Sequence, residues 1–195
     1  MLKQKSIFIV TILAILVWVT GCSQSDVDTT STNEAIEVIH GYTLPPEPDK
    51  TINNSTLLGI DSNNNGVRDD VEIWILKKYK DKHPIYTEIA MQDGRVRKIV
   101  LESPQKAKES FNSVTSALTC YSYYSDCSEN NSSIHVDIDI TYNQSFEEKF
   151  YNTENRKKAH REFGAALSGG SYTIPWCSES KKYCDFNTTK FEQLP

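Results

Sequence analysis

Residues 61–72 read Asp61-Ser62-Asn63-Asn64-Asn65-Gly66-Val67-Arg68-Asp69-Asp70-Val71-Glu72. Oxygen-bearing side chains occupy the first, third and fifth places (Asp61, Asn63 and Asn65), and Gly66 follows directly. A chain that aims three alternate side chains at one point must turn sharply, and glycine accepts backbone angles that a side chain resists. Asp69 and Glu72 add two carboxylates, and Val67 can offer its backbone carbonyl. Asn, Asp and Gly are ordinary turn formers, and carboxylates suit helix N-termini. Turn chemistry alone, however, does not explain side-chain oxygens at places 1, 3, 5, 9 and 12 around one glycine. A hard cation such as calcium needs about six to eight oxygen ligands. The stretch has the oxygen supply that one such cation needs.

The pattern resembles the EF-hand calcium loop. That resemblance implies one structural Ca2+ held by Asp61, Asn63 and Asn65, by Val67 through its carbonyl, by Asp69 directly or through water, and by Glu72 with both oxygens. Arg68 stands at place 8, where a paired EF-hand carries an aliphatic residue, and no second loop of this pattern occurs in the chain. Upstream, Pro45-Pro46-Glu47-Pro48, Asn53-Asn54 and Gly59 argue against a normal entering helix. The closer resemblance is to the half EF-hands of dockerin and thrombospondin-type calcium loops: a loop, the ion, then one helix. With only three carboxylates among the ligands, affinity is expected in the range of extracellular modules, roughly 0.1–1 mM.

Downstream, Val71, Trp74, Ile75 and Tyr79 fall at helical spacing, so a helix is predicted from Asp69 or Asp70 until His83-Pro84 interrupts it. A second helix is expected over about Ile85 to Leu101, with Asp93-Gly94 as a potential break. Ser103-Pro104 reads as N-cap and first residue of a third helix through Phe111, Val114 and Leu118 to Cys120. Trp74 and Phe111 are expected in the core. Residues 134–142 alternate apolar and polar, which predicts a strand. Ser145-Phe146-Glu147-Glu148 resembles a capping box and predicts one helix from there to Gly169-Gly170. The expected fold is mainly α with a small β component, in one disulfide-containing domain over residues 45–195.

The N-terminus reads as a targeting segment. Lys3 and Lys5 precede an apolar run, Ile7 to Val19, that ends in Val19-Thr20-Gly21-Cys22. The run is short against the roughly 20 residues that span a bilayer. The tetrad resembles a bacterial lipoprotein lipobox, which implies residues 1–21 as signal peptide and Cys22 as the acylated mature N-terminus. Residues 22–44 are then the lipidated end and a flexible tether, polar and without aromatics from Ser23 to Glu34. Ser23 after the cysteine resembles the signal for an outer-membrane destination.

Setting Cys22 aside, Cys120, Cys127, Cys177 and Cys184 are expected to form two disulfides in an exported protein. Three connectivities are open. Local pairing within each C-x6-C unit is favoured because each interior is turn-rich. Losing residues 1–21 removes two lysines and no acid, which moves the formal charge from −5 to −7. No basic stripe invites nucleic acid. Nucleophile elbows, metalloprotease helices and phosphate-binding loops are absent from the sequence. His135 with Asp137 and Asp139 reads better as the solvated face of a strand than as a second metal site. Tyr121, Tyr123 and Tyr124 read as packing near a disulfide. The expectation is a non-enzymatic, calcium-stabilised lipoprotein of the cell envelope, anchored to the membrane, that binds a protein or envelope glycan. An envelope hydrolase using calcium structurally is the alternative.

Overall fold

A computed structural model describes residues 36–127, 134–136, 144–173 and 175–195. The signal segment, Cys22 and the tether up to residue 35 lie outside the described residues, as does most of the alternating stretch, residues 137–142. Residues Ala35–Pro195 form one compact unit. Among the described residues it is built from eight α-helices, two short 3-10 turns and one two-stranded sheet, so the chain is mainly α with a small β component.

The sheet lies earlier than expected. Strands β1 (Val38–Ile39) and β2 (Tyr42–Thr43) pair antiparallel through the turn His40-Gly41, within the span read as tether. Both turn residues have positive φ, 52° and 87°, as a two-residue hairpin turn requires. The hairpin is fastened to the domain: His40 Nδ1 lies 2.8 Å from Thr87 Oγ1, and the Tyr42 hydroxyl donates to Glu88 at 3.0 Å. The ordered domain therefore begins ahead of residue 45. Ile134–Val136, the described part of the expected strand, lies outside this sheet; Val136 donates its N–H to the Tyr124 carbonyl.

Helix α1 (Lys50–Ser55) is capped by Asp49, whose carboxylate accepts from the Ile52 N–H. A short helix thus does precede the calcium-type loop. It stops at Ser55, with five residues between it and residue 61, so it does not run into the loop as an entering helix would. Helix α2 (Asp69–Tyr79) begins with Asp69, Asp70 and Glu72 in its first turn and closes with Lys77 and Lys78, matching charge to the helix dipole at both ends. Its Val71, Ile75 and Leu76 are fully buried, each contributing about 1.5–3 kcal/mol by leaving water.

Helix α3 (Pro84–Glu102) starts where His83-Pro84 predicts, with the His83 ring accepting from the Ile85 N–H. It runs unbroken through Asp93-Gly94. A Cβ on Gly94 would stand 3.0 and 3.1 Å from the two methyl groups of Val67, so the glycine is there to let the helix pass over the loop. Ser103 does not cap the next helix with its side chain. It closes α3 through its backbone N–H to Ile99, and Pro104–Lys106 makes a 3-10 turn before α4 (Ala107–Ser125). The buried face of α4 is Ala117, Cys120, Tyr123 and Tyr124. Phe111 is only half-buried and stacks on Tyr172, with ring centroids 4.1 Å apart, away from the main core. Trp74 packs on the core edge-to-face with Phe146 and stays partly exposed.

The helix expected from Ser145 onward is two: α5 (Gln144–Phe150) and α6 (Glu154–Leu167). Thr153 caps α6 by accepting from the Arg156 N–H at 3.3 Å, and the break leaves the last carbonyls of α5 open to partners. Gly169, with φ of 74°, ends α6 as expected. The tail forms α7 (Cys177–Ser180), a 3-10 turn (Lys181–Tyr183) and α8 (Thr188–Glu192).

The disulfides are not local. Cys120 joins Cys184 and Cys127 joins Cys177, with Cα–Cα distances of 4.9 and 5.5 Å. Helix α4 carries Cys120 and ends at Ser125. The helix carries the chain about 7.5 Å along its axis from Cys120 to Ser125, already more than the roughly 4.4–6.8 Å a disulfide spans, which works against a bond between Cys120 and Cys127. The tail pair sits instead across from them, and the two bonds hold the tail against the end of α4.

Candidate functional site: the loop of residues 61–72

The loop lies between α1 and α2 and is roofed by α3. Asn64 and Gly66 have φ of 56° and 87°. These left-handed turns direct backbone N–H groups inward: Asn65 donates to Asp61 Oδ1 at 3.1 Å and Gly66 to Asp61 Oδ2 at 3.0 Å. Asn63 Oδ1 accepts from the Asn65 N–H, Asn65 Oδ1 from the Val67 N–H at 2.8 Å, and Asp69 Oδ1 from the Ser62 N–H at 2.9 Å. The Asn63 amide donates to both Glu72 oxygens, at 3.1 and 3.3 Å. The Asp69 N–H donates to the Ile60 carbonyl and closes the loop onto α2. The five side chains read from the sequence are thus brought into one hydrogen-bonded cluster, and Val67, wholly buried, sits within the same turn.

The electrostatics of the cluster are costly for the protein alone. Glu72 is wholly buried, and Asp69 is 1 % exposed with its Oδ2 accepting no hydrogen bond. Burial chiefly raises the Glu72 carboxyl above its ordinary range; the Asn65 and Asn63 amides oppose that, and the Asp69 and Asp61 charges add to it. A buried carboxylate oxygen without a partner is expensive. Three acids, two amide side chains and a carbonyl form an all-oxygen donor set of the kind calcium takes, and the partnerless Asp69 oxygen fits a cation there. Among the described residues, no group of three or more His, Cys, Asp or Glu stands in a metal-holding arrangement. The fit therefore depends on the amides and the backbone as much as on the acids. If calcium is bound, these groups supply its ligands and the ion supplies the charge that offsets theirs.

Two arginines that carried no signal as site residues support the loop. Arg68 is 4 % exposed and paired with Asp70 at 2.5 Å. Its guanidinium also donates to the carbonyls of Phe150 and Lys149 at 3.1 and 3.0 Å, the C-terminal carbonyls of α5. Place 8, which in a paired EF-hand meets a second loop, here meets a helix end. Arg156, wholly buried, donates to the carbonyls of Asn53, Thr56 and Leu57 and to the side-chain oxygens of Asn54 and Asn152. Its five N–H groups all have neutral acceptors. Burial lowers its pKa to about 10, with the Arg68 charge second, so it stays protonated at neutral pH. Gly59, φ 71°, lies where these arginines converge; a Cβ there would stand 2.2 Å from the Arg68 side chain and 2.9 Å from that of Arg156.

The other sequence candidates fall elsewhere. Asp137 and Asp139 lie outside the described residues, while exposed His135 is within them. His160 stacks on Tyr151 at 4.2 Å, and the His83 ring bonds the Leu194 carbonyl. Tyr123 and Tyr124 are core residues in the same cluster as Cys120 and Cys127, and the Tyr124 hydroxyl donates to Glu192. Among the described residues no helix is long and apolar enough to cross a membrane. No family model, curated protein or solved structure matches this chain.

Proposed function

We propose that the chain is a lipid-anchored protein of the bacterial cell envelope whose domain is stabilised by one calcium ion in the loop of residues 61–72, and which serves to bind a protein or envelope glycan. The observation that carries the calcium part is the buried Asp69 Oδ2 without a partner beside the buried Glu72 carboxyl. The anchoring part rests on the Val19-Thr20-Gly21-Cys22 tetrad after a short apolar run. For the binding part, Trp176 is 85 % exposed next to the Cys127–Cys177 bond, a large apolar side chain held in water on a crosslinked segment. Exposed aromatics of this kind suit recognition surfaces.

Three measurements test these parts separately. Calorimetry with millimolar calcium should give a one-site binding heat. Mass spectrometry of membrane fractions should find Cys22 acylated at the mature N-terminus. Sedimentation with isolated peptidoglycan, together with crosslinking from position 176 in intact cells, should give a partner that Trp176→Ala loses. No calcium heat, an unmodified Cys22, or no partner in either binding assay would each remove its own part of the reading.

A further inference from the structure

Lys98 projects from the last turns of α3 to the rim of the loop. Its Nζ lies 3.7 Å from Asp61 Oδ2 and 4.0 Å from Glu102 Oε1, and its side chain is 36 % exposed. Among the described residues it is the one basic side chain in an ion pair with a proposed calcium ligand. The neighbouring cations are engaged elsewhere: Arg95 holds Asp185 with two bonds, at 2.6 and 2.7 Å, and Arg68 holds Asp70. Lys98 also borders a cavity of about 230 Å3 walled by Leu58, Leu101 and Phe150, which gives its aliphatic stem an apolar surface to lie on and room to swing.

From this placement we infer that Lys98 is a resident competitor of calcium: its ammonium neutralises Asp61 in the ion-free protein and lowers the loop's affinity for the ion. The inference rests on the calcium reading above. Asp61 already accepts two backbone N–H groups, so its remaining electron density goes either to the ammonium or to the metal. Calcium must displace the ammonium or bind beside it, and each course costs free energy. Lysine suits this role where arginine would not, because it is a compact charge on a flexible stem that can leave without breaking a planar, two-pronged pairing. Glu102 is the alternative partner that receives it. The arrangement makes ion-free protein tolerable, so the fold does not collapse when calcium is scarce.

The test is calorimetric titration of the full-length protein with calcium chloride, alongside melting in chelator. Lys98→Met keeps the stem and removes the charge. A unit charge about 4 Å from a ligand in high dielectric corresponds to roughly a fivefold change in binding before screening and side-chain motion reduce it. Lys98→Met should therefore bind calcium about two- to fivefold more tightly, and should melt lower than the parent in chelator. Glu102→Gln should act oppositely and weaken calcium binding, because it leaves Asp61 as the partner of Lys98. Equal or weaker affinity in Lys98→Met, or unchanged affinity in Glu102→Gln, would overturn the competitor role while leaving the calcium site standing. Absence of calcium binding in the parent and both variants would instead remove the site itself.

Discussion

Replacing Glu72 by Gln should separate the apo and calcium-bound states by the sign of its effect. In the parent, Glu72 is wholly buried, its carboxyl is raised by that burial, and the Asp69 and Asp61 charges repel it. The Gln side chain keeps the volume and one oxygen for the Asn63 amide, while removing a buried charge and two repulsions. In chelator the variant should therefore be as stable as the parent or slightly more so. Calcium reverses the ranking. An ion that binds only the folded state stabilises it by RT ln(1 + [Ca]/Kd), about 1.4 kcal/mol at ten times Kd. For a domain of this size that corresponds to a rise of about 3–6 °C in melting temperature. Glu72→Gln should lose most of the rise, because that residue is the one expected to give two oxygens. Differential scanning calorimetry in chelator and then in excess calcium reads both effects on one sample. A variant that keeps the full calcium-induced rise would falsify the ligand set. A variant that melts well below the parent in chelator would refute the claim that the buried carboxylate is a cost in the ion-free protein.

Two further outcomes follow from the packing. Arg156→Met should destabilise the domain by about 3–5 kcal/mol in urea unfolding, since three backbone carbonyls and two amide oxygens lose their donors at once; a loss under 1 kcal/mol would show that water replaces the guanidinium. Non-reducing peptide mapping should recover Cys120 with Cys184 and Cys127 with Cys177. Loss of the Cys120–Cys184 bond with the nested Cys127–Cys177 bond intact opens an effective loop of about 15 residues and should cost roughly 3 kcal/mol in the chain-entropy account, and recovery of the two local pairs would refute the packing of the tail on α4.

The readable parts of the sequence were those whose physics is local. The oxygen spacing from Asp61 to Glu72 marks a loop because neighbouring residues make it. His83-Pro84 ends one helix and starts the next because the proline restricts its own neighbour. What escaped depends on partners far along the chain. Arg156 is one basic residue in a charged helix until its acceptors, about a hundred residues earlier, are in place. Gly94 looks like a helix break until Val67 is seen beneath it. The disulfide pairing was partly accessible. A helix is expected to reach Cys120, and its extension to Ser125 works against the local bond. His40-Gly41 is not one of the Asn-Gly or Asp-Gly pairs that mark a hairpin, and the two-residue strands beside it are too short to show a period.

Arg156 also changes how the two adjacent loops respond to their surroundings. The turn at residues 53–57 is organised by a positive charge that is covalently part of the chain. The turn at residues 61–72, on the reading proposed here, draws most of its compensating charge from the medium, with Lys98 standing in at its rim when the ion is absent. Gly59 lies between them. A chelator, or a calcium-poor environment, can thus loosen only the second turn, and any loosening stops at a segment whose cation cannot be washed out. On that reading, one edge of the domain is open to its ionic surroundings and the next is insulated from them.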